Sequence, residues 1–595
     1  MKSFSAELFC AQRLDVSLNK IVFSGLIAAF LFLVIPFVFY ATVRIGYAPA
    51  IDYNEGFNVV HTSRFLSGEP LYLPVTDFPL TPVNYPPLSF LIIGGFSYFT
   101  GSILITGRVV ALVSLLVVSY LIFKTVDNFT SEKHAALVAA LLWLALVVHA
   151  AGHYVGMDDP QLLAHVFSVG ALCLYSRWID NLSAQKLCVL AFLCCIALFI
   201  KHLLIAVPIS LAVALFITNR RAFWTFALAG IVICAAMLFG SWSYGGEHLF
   251  SNFLDLNRPV SLDQFIGFMT TIFLDRFGCV FFVPYVVLLF LSSKRWLSVL
   301  VYFPVSFVLG AYACRGIGVD FNAWFDFFIA TAMMFGLFAV HTSDMREVFG
   351  PFGSNDRIIP RHWLTPVAVS LILFGVLTNE FIVPRLLVSH AFLQDLITSN
   401  MRLLQAILLL SGLTLLLAGR QIAANLKPIR LLLFYAILTS SLLPFSSSRS
   451  TDVEQVFRHD QLDRLEKTYQ QDVQLLRAIP GPALFEDALL GFDSGKKYLL
   501  DPFNTAQNMV NGRIPEQLLT SRIRDKYFSV IVLNLGTQKT LPKLRTLYLD
   551  SVKPKTTIRE RWTDNTLQAI TANYELVNLK RPSRYFFYVP RNSAS

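Results

Sequence analysis

The sequence predicts an α-helical polytopic membrane protein of about thirteen transmembrane helices, followed by a C-terminal extracytoplasmic α/β domain. Three observations carry this prediction. Of the 595 residues, 55% are hydrophobic and only 14% charged, which is more apolar surface than a soluble chain of this size can bury. The excess has to face lipid, where only helices and closed barrels satisfy their own backbone. Apolar runs such as 21–40, 104–123 and 222–240 are continuous and rich in Leu, Phe, Ala and Val, whereas barrel strands would be shorter and would alternate apolar with polar residues. Beyond residue 446 the pattern changes to amphipathic and strand-like segments.

Residues 1–20 are polar and mixed in charge and read as a cytoplasmic N-terminus, with Lys2, Arg13 and Lys20 holding the first apolar run as an uncleaved signal anchor. Candidate spans follow at 21–43, 104–126, 134–150, 160–177, 187–200, 202–218, 223–242, 279–293, 297–314, 324–341, 363–381, 403–418 and 429–445. The apolar stretch 86–100 is read instead as a helix lying in, or dipping into, the interface. Counted as a span, it would turn the basic loops at Arg220-Arg221, Lys294-Arg295, 346–361 and 420–430 outward; left out of the count, it lets the positive-inside rule place all of them in the cytoplasm. The same loops account for the net charge of +10 without any nucleic acid. All eight cysteines lie at or before Cys314 without zinc-site spacing, and read as small buried hydrophobes.

This parity makes residues 21–445 the membrane domain and gathers its unusual polar residues on one outer face. They lie in the 44–103 loop with its acidic motif, the 152–160 turn, the Lys201-His202 turn, the 243–277 loop and the 315–322 segment. Residues 446–595 read as a soluble extracytoplasmic domain. Within it, 452–476 has helical periodicity, 483–485 and 528–533 look like strands, 515–525 is a helix leading into the second strand, and helix 563–573 precedes strands 574–579 and 585–589.

Asp52 and Glu55 are three residues apart, so one helical turn would aim both at one volume. Paired carboxylates at a membrane surface are costly unless they perform chemistry or bind something. The pair Asn84-Tyr85 stands before Pro86-Pro87, which would start the interfacial helix rigidly. Asp158 and Asp159 open a span and suit either a helix cap or a ligand site. Lys201 is either a phosphate-side cation or a side chain snorkelling to the interface, and His202, like His153, either a contact or a packed histidine. Arg315 can face a phosphate or pair with Asp320; Asn322 can meet substrate or cap the next helix. Glu247, His248 and Arg258 read as solvated loop residues, with substrate contact as the alternative. No cluster has a metal-site spacing, and a divalent cation between Asp52, Asp158 and a phosphate stays open.

These residues also carry a resemblance. Asp52-Tyr53-Asn54-Glu55-Gly56, Leu66-Ser67-Gly68-Glu69-Pro70-Leu71-Tyr72, Asn84-Tyr85-Pro86-Pro87-Leu88 and Gly107-Arg108 resemble motifs of the GT-C superfamily of polyprenyl-phosphate-sugar-dependent glycosyltransferases. The likeness is greatest to the bacterial branch near the protein O-mannosyltransferase and aminoarabinose transferase families. Asp158 to Leu163, Lys201-His202 with Pro208, and Gly316 to Asn322 fall where that branch carries its later motifs. Glu486-Asp487, Asp501 and Tyr588 resemble positions of its extracytoplasmic tail domain, where folding or acceptor docking is expected.

The resemblance implies a GT-C-like catalytic domain that moves a sugar, with inversion, from a polyprenyl-phosphate donor to an envelope acceptor (glycan, lipid or protein). The reaction would take place at the outer face of a bacterial inner membrane. Asp52 would be the base, with Glu55 orienting the acceptor or exchanging roles with it. Asn84, Tyr85, Asp158, Asp159, Lys201, His202, Arg315 and Asn322 would bind substrate. The competing reading is a transporter or flippase of a lipid-linked saccharide, which should place polar residues at mid-depth and show inverted repeats; the sequence shows no repeat.

Overall fold

The computed structural model describes residues 34–255, 258–270, 294–341, 459–534 and 561–591, with short stretches within 24–32, 284–289 and at Ile558–Arg559. The spans predicted at 363–381, 403–418 and 429–445, and most of that at 279–293, lie outside the described residues. The first apolar helix, α1 (Phe30–Arg44), leads into α2 (Tyr53–Leu66), a polar 14-residue helix whose N-cap Asp52 accepts a bond from the Asn54 amide at 3.2 Å. Helix α3 (Leu88–Thr100) follows Pro86-Pro87 and ends at Gly101, whose φ of 72° is left-handed. Its 13 residues rise about 20 Å, as do the 13 of Ala206–Thr218, and both fall short of a hydrocarbon core of about 30 Å.

Then come α4 (Ile103–Thr130), α5 (Lys133–Ala151), α6 (Pro160–Trp178), α7 (Ala184–Ile200), α8 (Ala206–Thr218), α9 (Arg220–Gly245), α10 (Leu262–Thr270), α11 (Leu297–Ala313) and α12 (Phe325–His341). Side chains cap several N-termini: Ser102 for α4, Asp159 for α6, Ser183 for α7 and Asn219 for α9, each satisfying a backbone amide that the helix itself cannot. Among the described residues, five helices beginning at Ile103, Lys133, Arg220, Lys294 and Phe321 are long and apolar enough to cross a membrane. Helix α5 is central, with 83% of its apolar window buried. Only 11% of that of α9 is buried, and its Trp224, Ile231, Val232 and Phe239 project outward onto what must be lipid.

The bundle has two chemically distinct ends. At one, Arg295 pairs with Asp180 at 3.1 Å across exposed loops. At the other, Asp159 meets Lys201 and His153 meets Asp320.

The C-terminal region contains α13 (His459–Ala478), β1 (Ala483–Phe485), α14 (Ala488–Asp493), α15 (Pro502–Val510), α16 (Gln517–Arg524), β2 (Val530–Asn534), β3 (Ile558–Arg559), β4 (Trp562–Thr563), α17 (Asp564–Asn573), β5 (Tyr574–Leu576) and β6 (Tyr585–Pro590). One sheet has the order β1-β2-β6-β5. Strands β1 and β2 are parallel, with Leu484 opposite Ile531; β6 is antiparallel to both its neighbours, with Tyr588 opposite Ile531 and Leu576. Alternation along each strand divides the core into two layers. Leu484, Ile531, Leu533 and Tyr588 pack with Ile523, Leu567 and Ile570 on one side, and Ala483, Phe485, Val530, Val532 and Phe587 with Tyr469, Val473 and Leu476 on the other.

Both layers borrow from the membrane domain. Leu80 belongs to the first and Val60 of α2 to the second. The Leu80 amide donates to the Leu499 carbonyl at 3.0 Å and the Asp501 amide to the Leu80 carbonyl at 2.7 Å. Gly56 lies so close to the Leu489 amide at the start of α14 that any Cβ there would collide with it.

Candidate active site

Arg108, in the second turn of α4, is buried and enters the 44–103 loop as a fork. Its Nε and Nη2 reach both oxygens of Glu55 at 2.9 and 2.7 Å, while its remaining donors meet the carbonyls of Arg44, Tyr47 and Pro49. Glu55 also accepts from the amides of Ile51 at 2.7 Å and Asp158 at 3.0 Å. With four donors on its two oxygens and no exposed surface, this carboxylate has no room to meet an acceptor. Arg108 was read from sequence only as the start of a span; the bidentate geometry that suits arginine to a carboxylate makes it the organiser of the loop.

Asp52, one helical turn earlier, is half-buried; its carboxylate accepts from the Asn54 amide at 3.2 Å and its backbone carbonyl from the Glu55 amide at 3.2 Å. Asp158 packs onto α4 where Gly107 leaves no space for a Cβ. Its backbone carbonyl accepts from Asn58 at 2.7 Å, but one carboxyl oxygen is buried without a partner. Burial pushes this carboxyl well above the usual range, and the neighbouring charges of Glu55 and Asp159 push the same way against Arg108.

Asp159 both caps α6, through the Gln161 amide at 2.8 Å, and holds the Lys201 ammonium at 3.2 Å. Lys201 is therefore not snorkelling: it is 5% exposed and lies 4.9 Å from the centre of the Tyr85 ring. Burial opposes its charge, but Asp159 and Tyr85 outweigh that and hold its pKa above the ordinary value.

The other predicted residues scatter around this group. Asn84 is half-buried beside Tyr85. His202 is exposed at the turn, edge-on to Phe253 at 5.5 Å. Arg315 folds back over Tyr312, 3.9 Å from the ring centre, and bonds the Tyr312 carbonyl. It does not pair with Asp320, which instead takes His153 at 2.8 Å. Burial works to raise the Asp320 carboxyl, yet the bonds from His153 and the Phe321 amide hold it below the usual value. Asn322 does not cap a helix either; Asp320 does, and the Asn322 carbonyl accepts from Gln161 at 2.6 Å. Glu247 is exposed, its carboxylate 3.8 Å from His248. Among the described residues, no three His, Cys, Asp or Glu side chains are placed to hold a metal ion.

Sequence reasoning missed the roof. Tyr53, beside Asp52, donates its hydroxyl to Asp501 of the C-terminal region, which burial shifts upward in pKa. The Phe503 ring stands 6.1 Å from that of Tyr53 and fills the space left by Gly318. The Arg258 guanidinium lies 5.5 Å from the Phe503 ring, and among the described residues no carboxylate is within ion-pairing distance of it. Arg561 covers the other ring, 4.4 Å from the centre of Tyr53. Arg258 stood in a loop that reads as solvated, and Arg561 in a charged run, Arg559-Glu560-Arg561, that looks like ordinary surface. Only the tertiary fold brings Arg561 to Asp52 and Arg258 to Tyr85 and Tyr154.

Comparison with known proteins adds three findings. Residues 84–244 match the model of the family described as dolichyl-phosphate-mannose-protein mannosyltransferase. No curated protein sequence matches the chain. Among solved structures, the chain is similar to ArnT from Cupriavidus metallidurans in the apo state, with 13% identity, a TM-score of 0.50, and coverage of 95% of this chain and 98% of that one. The same protein bound to undecaprenyl phosphate gives 13% identity and a TM-score of 0.48 over 96% and 99% of the two chains.

Proposed function

We propose that this chain, a polytopic membrane glycosyltransferase of the GT-C fold, moves a sugar from a polyprenyl-phosphate donor to a hydroxyl of an envelope acceptor at the outer face of a bacterial inner membrane. One observation carries the reading: at a single end of the bundle, Tyr154 lies within electrostatic reach of Asp52, a carboxylate with spare acceptor capacity, and of Asp159 and Tyr85 of the Lys201 group. Arg258, which among the described residues has no carboxylate at ion-pairing distance, lies within reach of the same Tyr154 and Tyr85. The parity of basic loops supports placing that end outside, with Asp180 and Arg295 inside.

The donor's tail stays in lipid while its phosphate rises to Arg258, Lys201 and Tyr85. The acceptor oxygen attacks the anomeric carbon as its proton passes to Asp52. The bond from that carbon to the phosphate oxygen breaks on the opposite face, and both its electrons leave with polyprenyl phosphate. Stereochemistry inverts. Asp52 acts as general base, and the cations stabilise the charge that develops on the departing phosphate. Glu55 and Arg108 act through the loop they brace. A transporter would need its polar contacts at mid-depth between repeats, which the one-ended distribution of these groups does not favour.

The test uses a deletion strain complemented with full-length variants, envelope glycans read by mass spectrometry, and undecaprenyl phosphate binding measured on purified protein in nanodiscs. Asp52→Asn should abolish transfer and keep lipid binding. Arg258→Gln should weaken lipid binding tenfold or more. Full transfer by Asp52→Asn would remove Asp52 as base. Reporter fusions at residues 130 and 595 should report cytoplasmic and extracytoplasmic positions respectively; the reverse would overturn the orientation.

A further inference from the structure

We propose that Arg561, contributed by the C-terminal region, is the residue that recognises an anionic group, phosphate or carboxylate, on the acceptor beside the hydroxyl that is glycosylated. This rests on the donor-and-base reading above. Its starting point is the pair of arginines flanking the Tyr53–Phe503 aromatic pair. Arg258 lies against Phe503 and Arg561 against Tyr53.

Their surroundings differ in a way that assigns them to different substrates. Arg258 faces Tyr85, Tyr154 and Asp501, the side on which Lys201 lies. Arg561 faces Glu486, Tyr53 and Asp52. In a displacement with inversion the base and the leaving phosphate stand on opposite sides of the reacting carbon, so a cation beside the base meets the incoming molecule rather than the departing one.

Arg561 is also built to present its fork. Glu486 is fully buried and accepts from the Asn534 amide at 3.0 Å, from Trp562 Nε1 at 3.3 Å and from the Asn534 side chain. So held, it takes Arg561 Nη1 at 3.2 Å. Among the described residues this is the guanidinium's single hydrogen bond, and the side chain keeps 26% of its surface exposed. Of five N–H groups on an arginine, four therefore remain for a planar two-oxygen ligand. Glu486 fixes the direction of the fork, and the Tyr53 ring beneath it supplies a cation–π contact. Because Tyr53 is adjacent to Asp52 and anchored by Asp501, an anion seated on Arg561 is held at a set distance from the base.

Three measurements on full-length protein test this. Arg561→Gln should lower glycan occupancy in the complemented deletion strain at least tenfold, with Arg561→Lys recovering part of it, while affinity for undecaprenyl phosphate in nanodiscs changes less than twofold. The third measurement is release of polyprenyl phosphate to water, followed without acceptor on lipid extracted from the deletion strain. It should fall far less than glycan occupancy does in Arg561→Gln, because the donor does not use this residue and only the charge beside Asp52 is lost. Glu486→Gln, which leaves the arginine in place but loosens its hold, should fall between wild type and Arg561→Gln in occupancy. Full occupancy with Arg561→Gln overturns the proposal, and so does weakened binding of undecaprenyl phosphate. Release without acceptor slowed as much as occupancy assigns the anion to the donor sugar and likewise overturns it. None of these outcomes depends on whether Asp52→Asn is inactive, so failure here is distinguishable from failure of the base.

Discussion

Two buried ion pairs stand a few residues apart and are built for opposite purposes. In Glu55–Arg108 both side chains are fully buried, and every donor and acceptor is spent on the other partner or on loop backbone. In Asp159–Lys201 the side chains retain 1% and 6% of their surface, and the ammonium faces the Tyr85 ring at 4.9 Å. Closure distinguishes a brace from a binding element, and burial alone does not. An ion pair locked to loop backbone on every side fixes geometry, whereas one that ends on side chains alone, here both Asp159 oxygens and Tyr85, can exchange a partner for a substrate.

The largest effect expected from this contrast lies on neither pair but on the acid they leave free. Asp52→Asn should slow transfer by about 10²–10⁴-fold, the usual contribution of a general base, with normal membrane levels and an unchanged melting temperature. Glu55→Gln should instead lower stability by about 3–5 kcal/mol, since it leaves the Arg108 charge buried without a partner. A thermal-shift series in detergent reads this, and a fully stable Glu55→Gln enzyme would refute the brace. Gly107→Ala comes next. Its methyl would overlap the Asp158 carboxyl, at a cost of about 1–3 kcal/mol, and the double variant Gly107→Ala/Asp158→Gly should recover most of the loss.

Asp158→Asn should be the mildest. Burial raises this carboxyl's pKa in the folded chain, so the native state keeps the proton at pH values where the unfolded chain has lost it. Wild-type stability therefore falls as pH rises from the ordinary carboxylate value through the raised one. The amide should flatten that part of the stability–pH curve and be as stable as wild type, or more so, above it. A steeper curve in the variant would show that the carboxylate is ionised and held by a partner.

Much of this could be read in the chain because two kinds of signal are local. Span positions depend on runs of one residue type, so α4 to α9 sit where the apolar periods put them. Strands read at 483–485 and 528–533 followed from their apolar content, with β-branched residues only in the second, which runs Val530–Asn534. Asp159 as cap and Lys201 as cation both follow from position at a helix end. What stayed hidden depends on distant pairing. Nothing adjacent to Glu55 marks it as Arg108's partner 53 residues on, and nothing around Arg561 marks it as facing a residue near the start of the chain. Tail residues such as Asp501 were read as remote from the chemistry because sequence order says nothing about which domain roofs which. The hydrogen bond from Tyr53 shows that domain order and spatial order differ here.

The contact at Gly56, with Val60 and Leu80 sharing the tail's apolar layers, has a practical consequence. The boundary near residue 446 is a seam in the sequence but not in the solid: removing the tail would strip the outer helix of its cover, and expressing the tail alone would leave two of its own core positions empty. Chimeras that exchange C-terminal tails between related enzymes should therefore function only when α2 and the segment around Leu80 travel with them, so that the inherited unit comprises the tail and the loop it grips.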